Sequence, residues 1–279
     1  MGFLTDLTQR LRDDLVRDPL DEGALMARAV ARPPARDFEA ALRGGVGRPA
    51  IIAEVKRASP SAGAIAEGAD PVVQARAYEA GGAAAISVLT EGSHFHGSLV
   101  DLEAVRAMVQ IPVLRKDFMV HPAQLIEARA HGADAVLLIV SCCSDAELTS
   151  LLSMASDLGL GVLLETHSDE DLVRALATDA AIIGVNARDL ETLEVDVSGA
   201  LRRLEHIGSE RVAVMESGIA THDDALAAVS AGASAILVGE ALMRAVDPAA
   251  LVRDLTIGPE ERSATHPREQ PREHKESMS

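Results

Sequence analysis

Ala50–Ser61 reads AIIAEVKRASPS, an apolar run that passes straight into Glu54, Lys56 and Arg57 and stops at a Ser-Pro-Ser turn. In a strand, successive side chains point to opposite faces, so Ile52, Glu54 and Lys56 share one face. A buried strand ending in two charges on its inner face has two readings: an ion pair that closes the end of a core, or groups with chemistry to perform at the strand's mouth. Recurrence along the chain separates them.

Between Ala50 and Glu240 eight short apolar runs occur, each followed by a polar, helix-compatible stretch: Ala50–Lys56, Ala83–Thr90, Ile111–Lys116, Asp134–Val140, Gly161–Glu165, Ala181–Asn186, Arg211–Glu216 and Ser234–Gly239. Three share a preface, GGAAAISVLT from Gly81, HGADAVLLIV from His131 and AGASAILVGE from Ala231. A glycine ends a helix and an Ala-rich strand begins, as expected just past a helix C-terminus. Pro122–His131 and Thr221–Ala231 have the length and periodicity of amphipathic helices. Eight β-then-α units predict a (β/α)8 TIM barrel. A doubly wound open sheet is the alternative, but no G-x-G-x-x-G follows the first strand.

The composition fits. In 279 residues with 48% hydrophobic but only 2% aromatic content, the core must be built from Ala, Val, Leu and Ile, which suits parallel strands covered by helices. No apolar run reaches the roughly 20 residues of a membrane span. The N-terminal MGFLTDLTQRLRDDL carries acids and lacks the apolar region of a signal peptide. Cys142 and Cys143 are adjacent and without other cysteines, which points to a reducing cytoplasm rather than a disulfide or metal site. A formal net charge of −17 argues against a nucleic-acid backbone as partner but leaves room for a small anion held by local lysines. Residues 1–48 form a helical extension, with Phe3–Val16 and Gly23–Ala31 helical and Arg32-Pro33-Pro34 a break, expected to pack across one end of the barrel. Residues 49–255 form the barrel. The polar, proline-containing segment 256–279 is expected to be disordered.

In such barrels the site lies at the C-terminal ends of the strands. The last inward-facing residues are Glu54 and Lys56 on the first strand, Lys116 on the third, Glu165 on the fifth, Asn186 on the sixth and Glu216 on the seventh. Parity agrees, because Leu114, Leu163, Gly184 and Val214 precede the last four by two positions. Five charges and an amide at one mouth carry a desolvation cost with no structural return, which favours function. Ser217-Gly218 and Gly239, after the last two strands, suit close backbone approach to an anion, and a helix starting at Glu240 would offer its N–H groups. Phosphate is the expected anion, since this barrel binds it after strands seven and eight. His94 and His96 flank Phe95, but two histidines without a third ligand make a poor metal site.

These motifs together resemble the indole-3-glycerol phosphate synthase family. PARDFEAAL, IIAEVKRASPS, ISVLTEGSHFHGS, VLRKDF, LLETH, IGVNARDL, ESGI and LVGEALM occur in order between residue 36 and about 245. The resemblance implies ring closure of carboxyphenylamino-deoxyribulose 5-phosphate to indole-3-glycerol phosphate, with loss of carbon dioxide and water and with no cofactor or metal. It implies Lys116 as general acid, Glu54 as the group that keeps that lysine charged and in place, and Glu165 as acid–base group of the dehydration. Lys56 matches a lysine meeting the substrate's anionic ends, with a share in proton transfer. Asn186 and Glu216 match residues that orient the substrate's amine and hydroxyls. Ser59, Ser217, Gly218, Gly239 and Glu240 match phosphate and substrate contacts, Phe95 and Phe118 line the anthranilate ring, and Arg188 sits in a matching loop. His121, Ala123, Thr166 and Ala187 depart from the family's usual residues. A cytoplasmic monomer is expected, binding neither membrane nor nucleic acid. The rivals are another phosphosugar lyase or isomerase on the same barrel, and a catalytically silent barrel that only binds.

Overall fold

A computed structural model describes residues 2–256 except 46 and 67; the expected disorder of the tail lies outside the described residues, save Thr256, which ends the last helix. Eight parallel strands form a closed barrel: β1 (Ala50–Val55), β2 (Ala85–Leu89), β3 (Val113–Lys116), β4 (Ala135–Ile139), β5 (Gly161–Thr166), β6 (Ile182–Asn186), β7 (Val212–Glu216) and β8 (Ala235–Val238). Each pairs with its sequence neighbours, and β8 closes on β1 with Ala50 opposite Ala235. The apolar runs thus become the strands, and the open sheet is excluded. A solid core fills the barrel and the space beneath its helices, with Ile52, Leu114, Leu163 and Val214 pointing inward and Ile51, Val113, Leu164 and Ile183 outward.

Capping residues start the helices where turn signals lie. Asp70 caps Pro71–Gly81, Ser144 forms a capping box with Glu147 at Asp145–Asp157, and Thr221 does so with Asp224 at His222–Ser230. His121 performs the same task at Pro122–Ala130: its Nδ1 accepts from Ala123 N–H while Gln124 returns the box.

The N-terminal extension behaves differently from the expectation of one packed end. Its three helices, α1 (Phe3–Arg17), α2 (Glu22–Ala31) and α3 (Phe38–Leu42), go to three places. α1 lies at the C-terminal mouth, where Arg12 pairs with Glu147 at 2.7 Å and Glu191 accepts from Leu4 N–H, Thr5 N–H and the Thr5 hydroxyl. α2 packs on the barrel's flank, burying Leu25 and Ala29 against Ile126 and Ala130. α3 closes the opposite end, with Phe38 seated over the starts of β4 and β5 at Ala135 and Gly161. The Pro33-Pro34 break lets the chain turn from flank to base.

Among the described residues no helix is long and apolar enough to cross a membrane. Cys142 and Cys143 are free and buried in the single turn after β4.

Candidate active site

Inward alternation along the strands brings every candidate site residue named from the sequence to one cavity of about 500 Å³ at the C-terminal mouth. That volume suits a small metabolite. The walls between the charges are Leu89, Leu137, Ile139 and Leu237, and Phe95 and Phe118 form one side with ring centroids 6.2 Å apart. Phe3 of α1 adds a third ring, edge-on to Phe118 at 6.5 Å. No strand pattern announces Phe3, since its place depends on where a whole helix docks.

The charges are paired, and the pairs differ from one expectation. Lys116 Nζ lies 3.1 Å from Glu165 Oε2 and 3.6 Å from Glu216 Oε2. Glu54, expected to hold Lys116, instead contacts Lys56 Nζ at 2.8 Å. The reason is local: Glu54 and Lys56 stand two apart on one strand face, whereas Lys116 opposes Glu165 and Glu216 across the barrel. Glu54 still acts on Lys116 through its field. Asn186 Nδ2 donates to Glu165 Oε1 at 3.2 Å, and its own Oδ1 accepts from Arg188 N–H.

Environment sets the protons. Burial works against the charge on Lys116, but the carboxylates of Glu165, Glu216 and Glu54 outweigh it and hold the ammonium well above its ordinary pKa. Burial likewise pushes Glu165 up, yet Lys116 and the adjacent His167 overcome it, so Glu165 stays ionised. Glu216 has burial and then the Glu165 charge against it and is driven well above the ordinary carboxylate range, which favours its protonated form. Two lysines then balance the carboxylates of Glu54 and Glu165, which makes a buried cluster of this size tolerable.

The far wall is backbone. β7 ends at Glu216, and Ser217 (φ 63°) and Gly218 (φ 74°) follow in the left-handed region. A serine held there is strained, by about 1–3 kcal/mol, and such strain concentrates at ligand sites. Gly239 ends β8 beside the Glu54–Lys56 pair, where a Cβ would collide with the Glu54 carboxylate. Glu240 opens the next helix with its side chain on Arg244, 3.0 Å away, and both residues line the cavity. Ser59 is buried in a small hairpin after β1 and accepts from Ala62 N–H. That loop is fixed by Arg57, which grips Asp101 at 2.6 and 3.0 Å. Of the other departures, Thr166 donates to the Gly184 carbonyl at 2.8 Å, and Ala187 is buried behind Asn186. Among the described residues no group of His, Cys, Asp or Glu is arranged to hold a metal, and His94 turns to Glu91 at 3.2 Å.

This fold and the charged cavity at its mouth define a (β/α)8-barrel enzyme. Residues 5–255 match the family model described as indole-3-glycerol phosphate synthase. Proteins of that name from Mycobacterium avium (strain 104), 53% identical over 244 residues and 87% of each chain, and from Micrococcus luteus, 49% identical over 249 residues covering 88% of this chain and 93% of the other, are similar to it. The chain belongs to the indole-3-glycerol phosphate synthase family. A solved structure of thiamine phosphate pyrophosphorylase from Pyrococcus furiosus shares the fold alone, with a TM-score of 0.55 and 18% identity, over 78% of this chain and 96% of that one.

Proposed function

We propose that this chain closes the indole ring of 1-(2-carboxyphenylamino)-1-deoxyribulose 5-phosphate, losing carbon dioxide and water, with Lys116 as its general acid. The observation that carries the assignment of roles is the position of Lys116: its ammonium lies in an apolar-walled cavity, 3.1 Å from Glu165 and 3.6 Å from Glu216.

The first step needs a proton, or its field, on the ketone oxygen as the aromatic carbon bearing the carboxylate attacks C2 of the sugar. Lys116 supplies it, and the low-polarity surroundings strengthen its effect on the developing alkoxide. The new C–C bond leaves that ring carbon tetrahedral, and departure of carbon dioxide returns its electron pair to the ring. Dehydration follows: the hydroxyl leaves with a proton from an acid, and a base takes the proton lost as the pyrrole ring forms. Glu165 is the carboxylate for that exchange, beside Lys116 and oriented by Asn186. Glu216, in its protonated form, can donate to a substrate hydroxyl without adding negative charge. Lys56 meets an anionic end of the substrate, the Ser217-Gly218 turn and the Gly239-Glu240 backbone take the phosphate, Ser59 and Arg188 add polar contacts, and Phe95 and Phe118 flank the anthranilate ring. The reading includes a cytoplasmic monomer, supported by exposed apolar side chains such as Val16, Val73 and Val173 standing singly on different helices.

Purified protein given this substrate, with chelator and no added metal, should produce indole fluorescence. Well-folded protein that ignores it and turns over another phosphorylated sugar would move the assignment to a different lyase or isomerase, and one that only binds such sugars would make it a silent barrel.

Gly184 offers a geometric check. It lies beside Glu165 on β6, and a Cβ there would collide with Glu216 Oε1, itself wedged in the buried cluster. Gly184→Ala should therefore displace a carboxyl group rather than a free side chain. We expect kcat to drop on the order of tenfold, with about 1–3 kcal/mol of overpacking cost. Steady-state kinetics and a thermal melt of the same sample measure both; unchanged kcat would mean that Glu216 needs no fixed position.

A further inference from the structure

His167 follows Glu165 by two positions and lies behind it, outside the residues lining the cavity. Its Nε2 is 3.0 Å from Glu165 Oε1, the oxygen that Asn186 also holds, and its Nδ1 is 4.0 Å from Asp171 Oδ2. Asp171 in turn accepts the His167 backbone N–H at 3.1 Å, so the residue is anchored through its main chain. Both ring nitrogens are sealed from solvent, Nε2 against the Glu165 carboxylate and Nδ1 too far from Asp171 for a hydrogen bond. Leaving the buried Nδ1 unpaired costs about 1–3 kcal/mol, which is a poor use of an imidazole as packing. Functional hydrogen bonds that are out of line without substrate commonly align once it binds.

We propose that His167 is the positioning residue for Glu165, holding Oε1 in both protonation states that the carboxyl group visits during turnover. With its proton on Nε2, the imidazole donates to the Glu165 carboxylate. With its proton on Nδ1, facing Asp171, Nε2 accepts from the protonated Glu165. The second arrangement holds one proton more than the first, the one that Glu165 takes from the substrate, while the ring stays neutral by shifting its own proton from Nε2 to the side of Asp171. An Asn or Gln amide alone could not present one atom in both roles. The inference rests on the ring-closure reading, in which Glu165 gives and takes a proton.

Several groups bear on the imidazole. Glu165 on β5, Asp171 at the start of the following helix and Asp189 in the loop after β6 are the carboxyl groups that interact with it. Lys116 lies beyond Glu165, and the Cys142 thiol, close to both Glu165 and Asp171, stays neutral because burial raises its pKa. A hydrogen bond donated by His167 helps keep Glu165 ionised. Without it Glu165 protonates more readily, so the acidic limb of the kcat profile moves to higher pH.

The test compares wild type, His167→Ala and His167→Gln. We expect His167→Ala to lose kcat by about tenfold or more at unchanged KM, with its acidic limb displaced upward. His167→Gln, which can donate to the carboxylate but cannot also accept with the same atom, should bring the limb back toward wild type while recovering only part of kcat. Unchanged kcat and limb in His167→Ala, or a loss of activity that only follows a loss of folded protein, overturns the proposal while leaving ring closure intact. A second measurement does not need turnover: the ring ¹⁵N chemical shifts of His167, which report its tautomer, should change in Glu165→Gln, and shifts that stay put overturn the pairing even if the natural substrate proves to be different.

Discussion

Lys116→Ala should abolish ring closure almost completely, with kcat falling by about 10²–10⁴-fold, the usual contribution of a positioned general acid. The loss has two sources. The ketone oxygen loses its proton donor, and Glu165 loses the cation that chiefly keeps it ionised against burial. The sign of the second effect is definite: with Lys116 gone, the Glu165 pKa rises, its carboxylate becomes scarcer at a given pH, and the acidic limb of any residual activity moves up. Substrate binding should survive, because the aromatic walls, the Ser217-Gly218 turn and Lys56 are untouched. The barrel should survive as well, since Glu165 can relieve its unpaired charge by taking a proton rather than remaining a bare buried anion. Single-turnover kinetics across pH would separate the effects. Retention of more than a tenth of wild-type kcat would remove Lys116 from the acid's role and turn attention to Lys56, 2.8 Å from Glu54 on the neighbouring wall.

Legibility in the sequence depended on whether a feature was local. Strand alternation is local, and it placed Glu54, Lys116, Glu165, Asn186 and Glu216 on inward faces, each near the end of an apolar run. Which charge pairs with which is not local. Lys116 meets Glu165 and Glu216 because β3, β5 and β7 converge across the barrel interior, a distance that spacing along the chain does not encode. Phe3 was unreadable for the same reason, and α3 because five residues are too few to show a helical period. His167 had a faint signal, a second ionisable group two positions after Glu165, but it falls beyond the strand, where alternation no longer determines direction. Arg115 shows the reverse case. It looks like another mouth charge beside Lys116, yet parity turns it outward, where it pairs with Asp117 at 3.0 Å and Glu127 at 2.9 Å under the helical layer.

The largest expected effect on stability belongs to Asp134, at the opposite end of the barrel from the chemistry. Its side chain is fully buried at the start of β4 and joins three separate pieces of chain. It accepts the Arg36 N–H at 2.8 Å, just before α3, and the Val113 N–H at 2.9 Å where β3 begins. It also pairs with Arg106, the Nε lying 2.9 Å away. Asp134→Ala would leave two backbone donors without their acceptor and one guanidinium facing a void. Breaking one partner of a buried charge pair costs about 3–5 kcal/mol. For a chain of this size each kcal/mol lowers Tm by about 2–4 °C, so a fall of roughly 6–20 °C is expected. Asp134→Asn keeps an acceptor oxygen and the side chain's shape, and should lose about half as much, since one charge-assisted bond is worth about 1.5–3 kcal/mol. Both variants should keep wild-type kcat and KM well below their melting range, because stability and chemistry occupy opposite ends of this barrel. Thermal melts paired with assays at low temperature test that separation: a small Tm change, or a kcat loss in fully folded Asp134→Ala, would show that the base of the barrel and its mouth are not independent.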